Sequence, residues 1–247
     1  MNRIWVDVLI PSFNTNEDYI KECIRSIITQ EGDFGIHLVW VDDGSTMEHQ
    51  MKVMEGIQQV VKYRPYTTFT FLRQEKNQGI VKCLNDGLMY CKNELIFRMD
   101  SDDIMLPSRM TKQIEYMNNH PECMLLGTNM VSFFVETNVI CHPTSHPEVY
   151  TWEQFKVEKP KWMMNHPTLC FRNQVIKDVG GYDEGEFQFS AMEDYEFELR
   201  CLKKYGMIHN VTDILLVYRI HPQQICQQTK YINKEEIKNK LIHSFLL

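Results

Sequence analysis

The 247-residue chain has no run approaching the roughly 18 consecutive apolar residues of a membrane span, and its opening MNRIWVDVLIPSFN lacks a signal-peptide layout. Positive charge is also scarce. Twenty-six Lys and Arg against 33 Asp and Glu leave a net charge of −7 and a pI near 5.7, without the basic face that nucleic-acid phosphates require. None of the eight cysteines, at 23, 83, 91, 123, 141, 170, 201 and 226, forms a Cys-x-x-Cys pair, which excludes a zinc ribbon and a thioredoxin-like motif. A G-x-x-x-x-G-K-[ST] loop is missing, as is a G-x-G-x-x-G after the first strand, and there are no internal repeats. The expectation is a soluble, intracellular, cytoplasmic protein with buried thiols, no nucleic-acid partner and no transmembrane segment. In that setting the lone sequon Asn210-Val-Thr212 carries no weight.

What is present is a core and a rhythm. Hydrophobic residues make up 43% of the chain, enough for one large α/β domain or two small ones. Short β-branched runs alternate with amphipathic helical patterns through the first 120 residues, the signature of βαβ units and a largely parallel sheet. Strands are expected at WVDVLI (5–10), IHLVWV (36–41), TFTFL (68–72) and ELIFRMD (94–100), and a further one within 122–136. Ile20, Cys23, Ile24, Ile27 and Ile28 fall on one helical face, with Asn14, Thr15 and Asn16 as cap candidates. A second helix is expected to bury Met47, Met51, Met54, Ile57, Val60 and Val61, and a third to run over 79–91. No clear linker interrupts residues 1–225, so these form one domain, followed by a helical tail over 226–247.

Charge is crowded at one place. In FRMDSDDIMLP (97–107) Asp100, Asp102 and Asp103 sit within four positions at the end of the fourth strand. Like charges this close raise one another's pKa and call for a cation, a helix N-terminus or a basic side chain; the alternative is a turn in which Ser101 and Asp102 cap the next helix. Ligands of open α/β sheets lie beyond the carboxyl ends of the strands, where PSFN, DDGST and DSDD all fall, and this convergence favours a metal site. Carboxylate oxygens suit Mg²⁺ or Mn²⁺, which in turn suit phosphate oxygens.

The succession VLIPSFN, VDDGST, NQGIVKCLNDG, MDSDDIMLPSRM, NHPTLCFR, GGYDE, MEDYEFELR and VYRIHPQQIC, spanning residues 4–226, resembles the family 2 glycosyltransferases. The resemblance implies a GT-A fold, a Rossmann-like α/β/α sandwich with a mostly parallel central sheet, whose nucleotide-sugar-binding half is 1–103 and acceptor-binding half 104–225. It implies a metal-dependent inverting transfer of a hexosyl or N-acetylhexosaminyl group from a nucleotide sugar, a UDP-sugar by expectation, to a hydroxyl of a glycan, lipid or other acceptor. Pro11, Ser12 and Asn14 match the loop around the nucleoside, Asp43 the carboxylate that meets the base, and Asn77 a position near the base. Asp100 and Asp102 match the ends of the D-x-D motif, with Ser101 between them. Asp102 is the metal ligand on this reading, Asp100 serves ribose and metal, and His221 matches a histidine that approaches the diphosphate or the metal. Asp194 matches the general base, needed because an acceptor hydroxyl is a poor nucleophile; Glu193 and His166 match the acceptor side. Leu84 stands where many relatives have an arginine, which leaves the identity of the nucleotide open, with Lys82 a substitute for that contact.

Each of these positions also has a structural alternative: Glu193 and Asp194 as a capped, solvated helix start, His166 as part of a Pro167 turn, Trp152 and Trp162 as packing rather than sugar platforms. Two other functions remain open at this point, a sugar-1-phosphate nucleotidyltransferase and an inactive nucleotide- or carbohydrate-binding module. The first expects a Gly- and Arg-rich loop after the first strand, where PSFNTNED offers none. KLIHSFLL is too short to decide peripheral membrane association, and the oligomeric state is not legible.

Overall fold

A computed structural model describes residues 3–159, 162–185, 192–228 and 233–246. In chain order the elements are β1 (Trp5–Ser12), α1 (Glu17–Ile28), β2 (Gly35–Asp42), α2 (Met47–Tyr63), β3 (Thr67–Arg73), α3 (Ile80–Leu88), β4 (Leu95–Arg98), β5 (Ile104–Met105), α4 (Arg109–Asn119), β6 (Leu125–Phe134), β7 (Val139–Ile140), β8 (Val149–Thr151), α5 (Trp152–Glu158), β9 (Cys170–Arg172), α6 (Gln174–Val179), α7 (Glu193–Tyr205), β10 (Met207–Ile220), α8 (Ile225–Gln228) and α9 (Lys234–Leu246). They build a single sheet in the order β3-β2-β1-β4-β9-β6-β10-β5, with β7 on β6 and β8 on β10. β3, β2, β1 and β4 are mutually parallel, and β6 runs parallel to β10. The short strands β5, β7, β8 and β9 pair antiparallel.

Side chains alternate across a strand, so a sheet covered on both faces must be apolar on both. Val6, Val8 and Ile10 of β1, with Ile36, Leu38 and Trp40 of β2, face one core together with Ile24 of α1, Ile57 of α2 and Met117 of α4. Leu9, Val39 and Val41 face the other, against Leu84 of α3, Phe155 of α5 and Phe197 and Leu199 of α7. The result is the three-layer sandwich with a mostly parallel centre.

Asn16 is the N-cap of α1, accepting from the Asp18 amide at 2.9 Å. The methionine stripe of α2 is a correction: Met47 and Met51 are 62% and 58% exposed and Val61 also faces outward, while Val53, Gly56, Ile57 and Val60 make the buried face. β4 ends at Arg98, shorter than expected, and the carboxylates follow it in a turn. Ser101 and Asp102 cap nothing, because the next element is β5 and the next helix, α4, has Ser108 as its N-cap. Trp152 stacks on Phe155 and Trp162 meets Tyr195 edge-on, so both pack against core residues.

In the C-terminal tail α9 buries Leu241 and Ile242 in the same core as α7, and Lys203 donates to the Phe245 carbonyl at 2.7 Å. Residues 229–232 of that tail and the side chain of Cys226 lie outside the described residues. The other seven cysteines are free, and all but Cys141 are buried. Among the described residues no helix is long and apolar enough to cross a membrane.

Candidate active site

Three loops close the carboxyl edge of the sheet. After β1 the Asn14 amide donates to Ser45 Oγ at 2.9 Å, and Asn14 Oδ1 accepts from the Thr46 amide at 3.0 Å. Asn14 has φ of 47°, a left-handed conformation that asparagine tolerates better than most residues. The Asp43 amide donates to the Ser12 carbonyl at 2.8 Å, and Ser12 Oγ accepts from Trp40 Nε1 at 2.8 Å. Thr15 Oγ1 and Ser101 Oγ, 2.8 Å apart, join the first loop to the turn after β4. Ser12, Asn14 and Ser101 are thus knitted into one rim, while Pro11 lies buried within β1 opposite Val41.

Asp43 faces the other way, toward the loop before α3. Its carboxylate accepts from the Gln78 amide at 2.7 Å and the Gly79 amide at 2.9 Å, while burial pushes it above the ordinary carboxylate range. Asn77, exposed in that loop, lies beside Gly44, whose φ of 70° and contact with the Lys76 backbone admit no side chain. Asp42 is buried and structural: its Oδ2 accepts from the Ser45 amide and Gln50 Nε2, both at 3.1 Å.

Asp100, Asp102 and Asp103 each place one oxygen within 4.8 Å of the others. Asp100 pairs with Arg98 Nη1, and Asp102 Oδ2 lies 2.9 Å from His221 Nε2. Asp103 is fully buried; one oxygen accepts from the Arg219 amide at 2.8 Å and the other has no partner. Arg219 also donates to the Asp102 carbonyl and pairs with Glu22, under the Tyr19 ring. Burial raises Asp100 and raises Asp103 far above its usual range, the latter with the Asp102 and Asp100 charges adding to it. The hydrogen bond to Asp102 raises His221. An orphaned buried oxygen within a set of hard oxygen donors fits a divalent cation of the Mg²⁺ or Mn²⁺ type.

The second half of the chain supplies another acidic pair. Glu193 and Asp194 open α7, but this start is not solvated: Glu193 is 9% exposed and its Oε2 is buried without a partner. Asp194 Oδ1 accepts from the Tyr195 amide at 2.7 Å. Burial raises both carboxyls, and for Glu193 the Asp194 charge adds to it, so this pair holds protons to higher pH than ordinary surface acids. His166 is buried, with Nε2 2.7 Å from the Tyr182 hydroxyl, and burial followed by the Arg98 charge holds it neutral. Gly180 carries φ of 83° at the end of α6, and a Cβ on Gly181 would strike the Asn85 side chain, so the double glycine sets the turn that presents Tyr182.

The sequence gives roles to Asp100, Asp102, His221, Glu193, Asp194 and His166 and counts Asp103 in the acidic run, but it assigns nothing to Arg98, Arg219 and Tyr182, which neutralise, brace or accompany them. Arginines near an acidic run were the available signal, and scattered basic residues hid it.

The sequence profile of glycosyl transferase family 2 matches residues 7–180. Amylovoran biosynthesis glycosyltransferase AmsE of Erwinia amylovora is 29% identical over 215 residues, covering 86% of this chain and 75% of that one. TarS of S. aureus in complex with UDP-GlcNAc superposes with a TM-score of 0.71 at 19% identity, over 98% of this chain and 72% of that one. The mannosyltransferase PcManGT of Pyrobaculum calidifontis, in complex with GDP-Man and Mn²⁺, gives 0.64 at 15% identity, over 91% and 59%.

Proposed function

Since the chain belongs to glycosyl transferase family 2 and has the GT-A fold, we propose that it moves a sugar from a UDP-sugar to a hydroxyl of a glycan or glycolipid, with inversion and with a divalent cation. One observation carries the reading: in the turn after β4, at the carboxyl edge of the sheet, Asp100, Asp102 and Asp103 each bring one oxygen within 4.8 Å of the others, and a buried Asp103 oxygen is left without a partner, as a cation site would leave it. A UDP-GlcNAc complex of the TarS neighbour and a relative named for amylovoran biosynthesis support the donor and acceptor classes. Residues 1–103 serve the donor and 104–225 the acceptor.

The rim of Ser12 and Asn14, with Pro11 of β1 and with Asp43 and Asn77 beside it, receives the nucleoside. Asp102 and His221, with Asp100, would hold Mn²⁺ or Mg²⁺, which when bound would supply Lewis-acid stabilisation of the departing diphosphate. Ser101 fixes the turn against Thr15. Glu193 and His166 line the acceptor, and Asp194 takes the proton from its hydroxyl as the glycosidic bond forms. Attack opposite the leaving group inverts the anomeric carbon.

A panel of nucleotide sugars assayed for nucleoside diphosphate release with Mn²⁺ and a glycan or prenyl-linked sugar acceptor tests this. UDP release is expected to fall about 10²- to 10⁴-fold in Asp194→Asn while UDP affinity stays put. Pyrophosphate release from a nucleoside triphosphate and a sugar phosphate, or wild-type turnover in Asp194→Asn, would refute it.

A further inference from the structure

Asn85 is half-buried on α3. Asparagine is a poor choice inside a helix, because its short amide competes for backbone groups. Here the amide spends that tendency on a different segment, 97 positions along the chain. Oδ1 accepts from the Tyr182 amide and Nδ2 donates to the Tyr182 carbonyl, both at 2.8 Å, so one side chain pairs with both polar groups of a single residue. Nδ2 also donates to Glu184 Oε1 at 2.8 Å, which uses both of its hydrogens. Gly181 permits the approach, since a Cβ there would lie 2.3 Å from Asn85 Oδ1.

The same turn is held from its other side by α7. Arg200 donates through Nη2 to the Gly181 carbonyl at 2.7 Å and through Nη1 to the Val179 carbonyl, and Glu196 accepts from Arg200 Nε and Nη2, both at 2.6 Å. With its backbone pinned, the Tyr182 side chain has one place to go. Its ring stacks on Phe197 with centroids 4.6 Å apart, and its hydroxyl lies 2.7 Å from His166 Nε2. The partner of one imidazole nitrogen fixes both the tautomer and the aim of the ring, so Tyr182 sets what His166 presents. At the opposite end of α3, the Gln78 and Gly79 amides that lead into the helix hold Asp43. The helix is therefore anchored on both sides of the molecule.

We propose that Asn85 is a positioning residue for the acceptor: by clamping the Tyr182 backbone it seats the hydroxyl that orients His166. This rests on the reading of His166 as lining the acceptor.

Asn85→Ala, Tyr182→Phe and the double variant test the clamp through two readouts. One is the imidazole ¹⁵N shifts of His166, assigned with His166→Gln; the other is steady-state kinetics with a UDP-sugar and a prenyl-linked sugar acceptor. The His166 resonances should move in both single variants. The acceptor KM should rise roughly tenfold in each while the donor KM stays put, and the double variant should match either single within about twofold, because both act through one contact. Unmoved His166 resonances in Asn85→Ala, a wild-type acceptor KM there while His166→Gln raises it, or a roughly hundredfold rise in the double variant overturns the assignment. If Asn85→Ala does not fold by circular dichroism, Asn85→Asp, which keeps the shape and loses the donor, decides through the same resonances and KM. Moved resonances with a wild-type acceptor KM in His166→Gln would instead refute the place of His166 on the acceptor side.

Discussion

Glu198 shows what a buried acid costs when one of its oxygens has no partner. It lies within α7, nearly inaccessible, its Oε2 lacks a partner, and burial followed by the Asp194 charge holds its proton far above the ordinary carboxylate range. A carboxyl raised in the folded state binds a proton that the unfolded chain has already released. Its stabilising contribution is therefore complete below the ordinary carboxylate range and declines, by about 1.4 kcal/mol per pH unit, as pH rises toward the folded value. Glutamine keeps the shape without the titration. Glu198→Gln is expected to match the wild type in urea denaturation near pH 5 and to exceed it increasingly toward pH 8; parallel stability curves over that range would show that Glu198 does not titrate as described. Asp43 reaches a different settlement, because two backbone amides answer its burial and turn the carboxylate into the clasp between the loops after β2 and β3.

The elements legible in the chain were those whose period matches a two-sided environment. β1, α1, β2 and α3 announce themselves because every second strand residue, or every third and fourth helical one, is aliphatic. α2 misled, because its methionines repeat at helical spacing yet Met47 and Met51 lie outward while the smaller Val53 and Gly56 let α2 approach α1. β10 went unread as a 14-residue strand, since its pairing with β6 shifts register between Val211 and Ile214 and again before Leu216, and such irregularity erases alternation. Of the site, the acidic run and the Glu-Asp pair were visible in one dimension, whereas the Arg98 and Arg219 contacts join residues up to 197 positions apart. α9 looked like a polar appendage because its buried side is only the narrow stripe around Leu241 and Ile242. Removing that anchor should be felt: Leu241→Ala is predicted to lower unfolding free energy by about 2–4 kcal/mol in urea. A change below about 0.5 kcal/mol would mean that α9 is not docked.

Across the chain as a whole, a net charge of −7 is not spread evenly in its effects. Most acids are solvated on the surface, but three converge where β4 ends, met by Arg98, by the Arg219 amide and by His221, whose Nε2 lies 2.9 Å from Asp102. The sandwich brings this cluster to the edge where the loops after β1 and β2 already meet, so the proposed donor seat and the acidic cluster occupy one place. The most direct check is a Mn²⁺ titration in the presence of UDP, followed by electron paramagnetic resonance, on the wild type and on Asp102→Asn. One tightly held ion per chain is expected in the wild type, with affinity reduced tenfold or more in the variant. Equal affinity in both, or no UDP-dependent ion at all, would contradict a cation held by these aspartates.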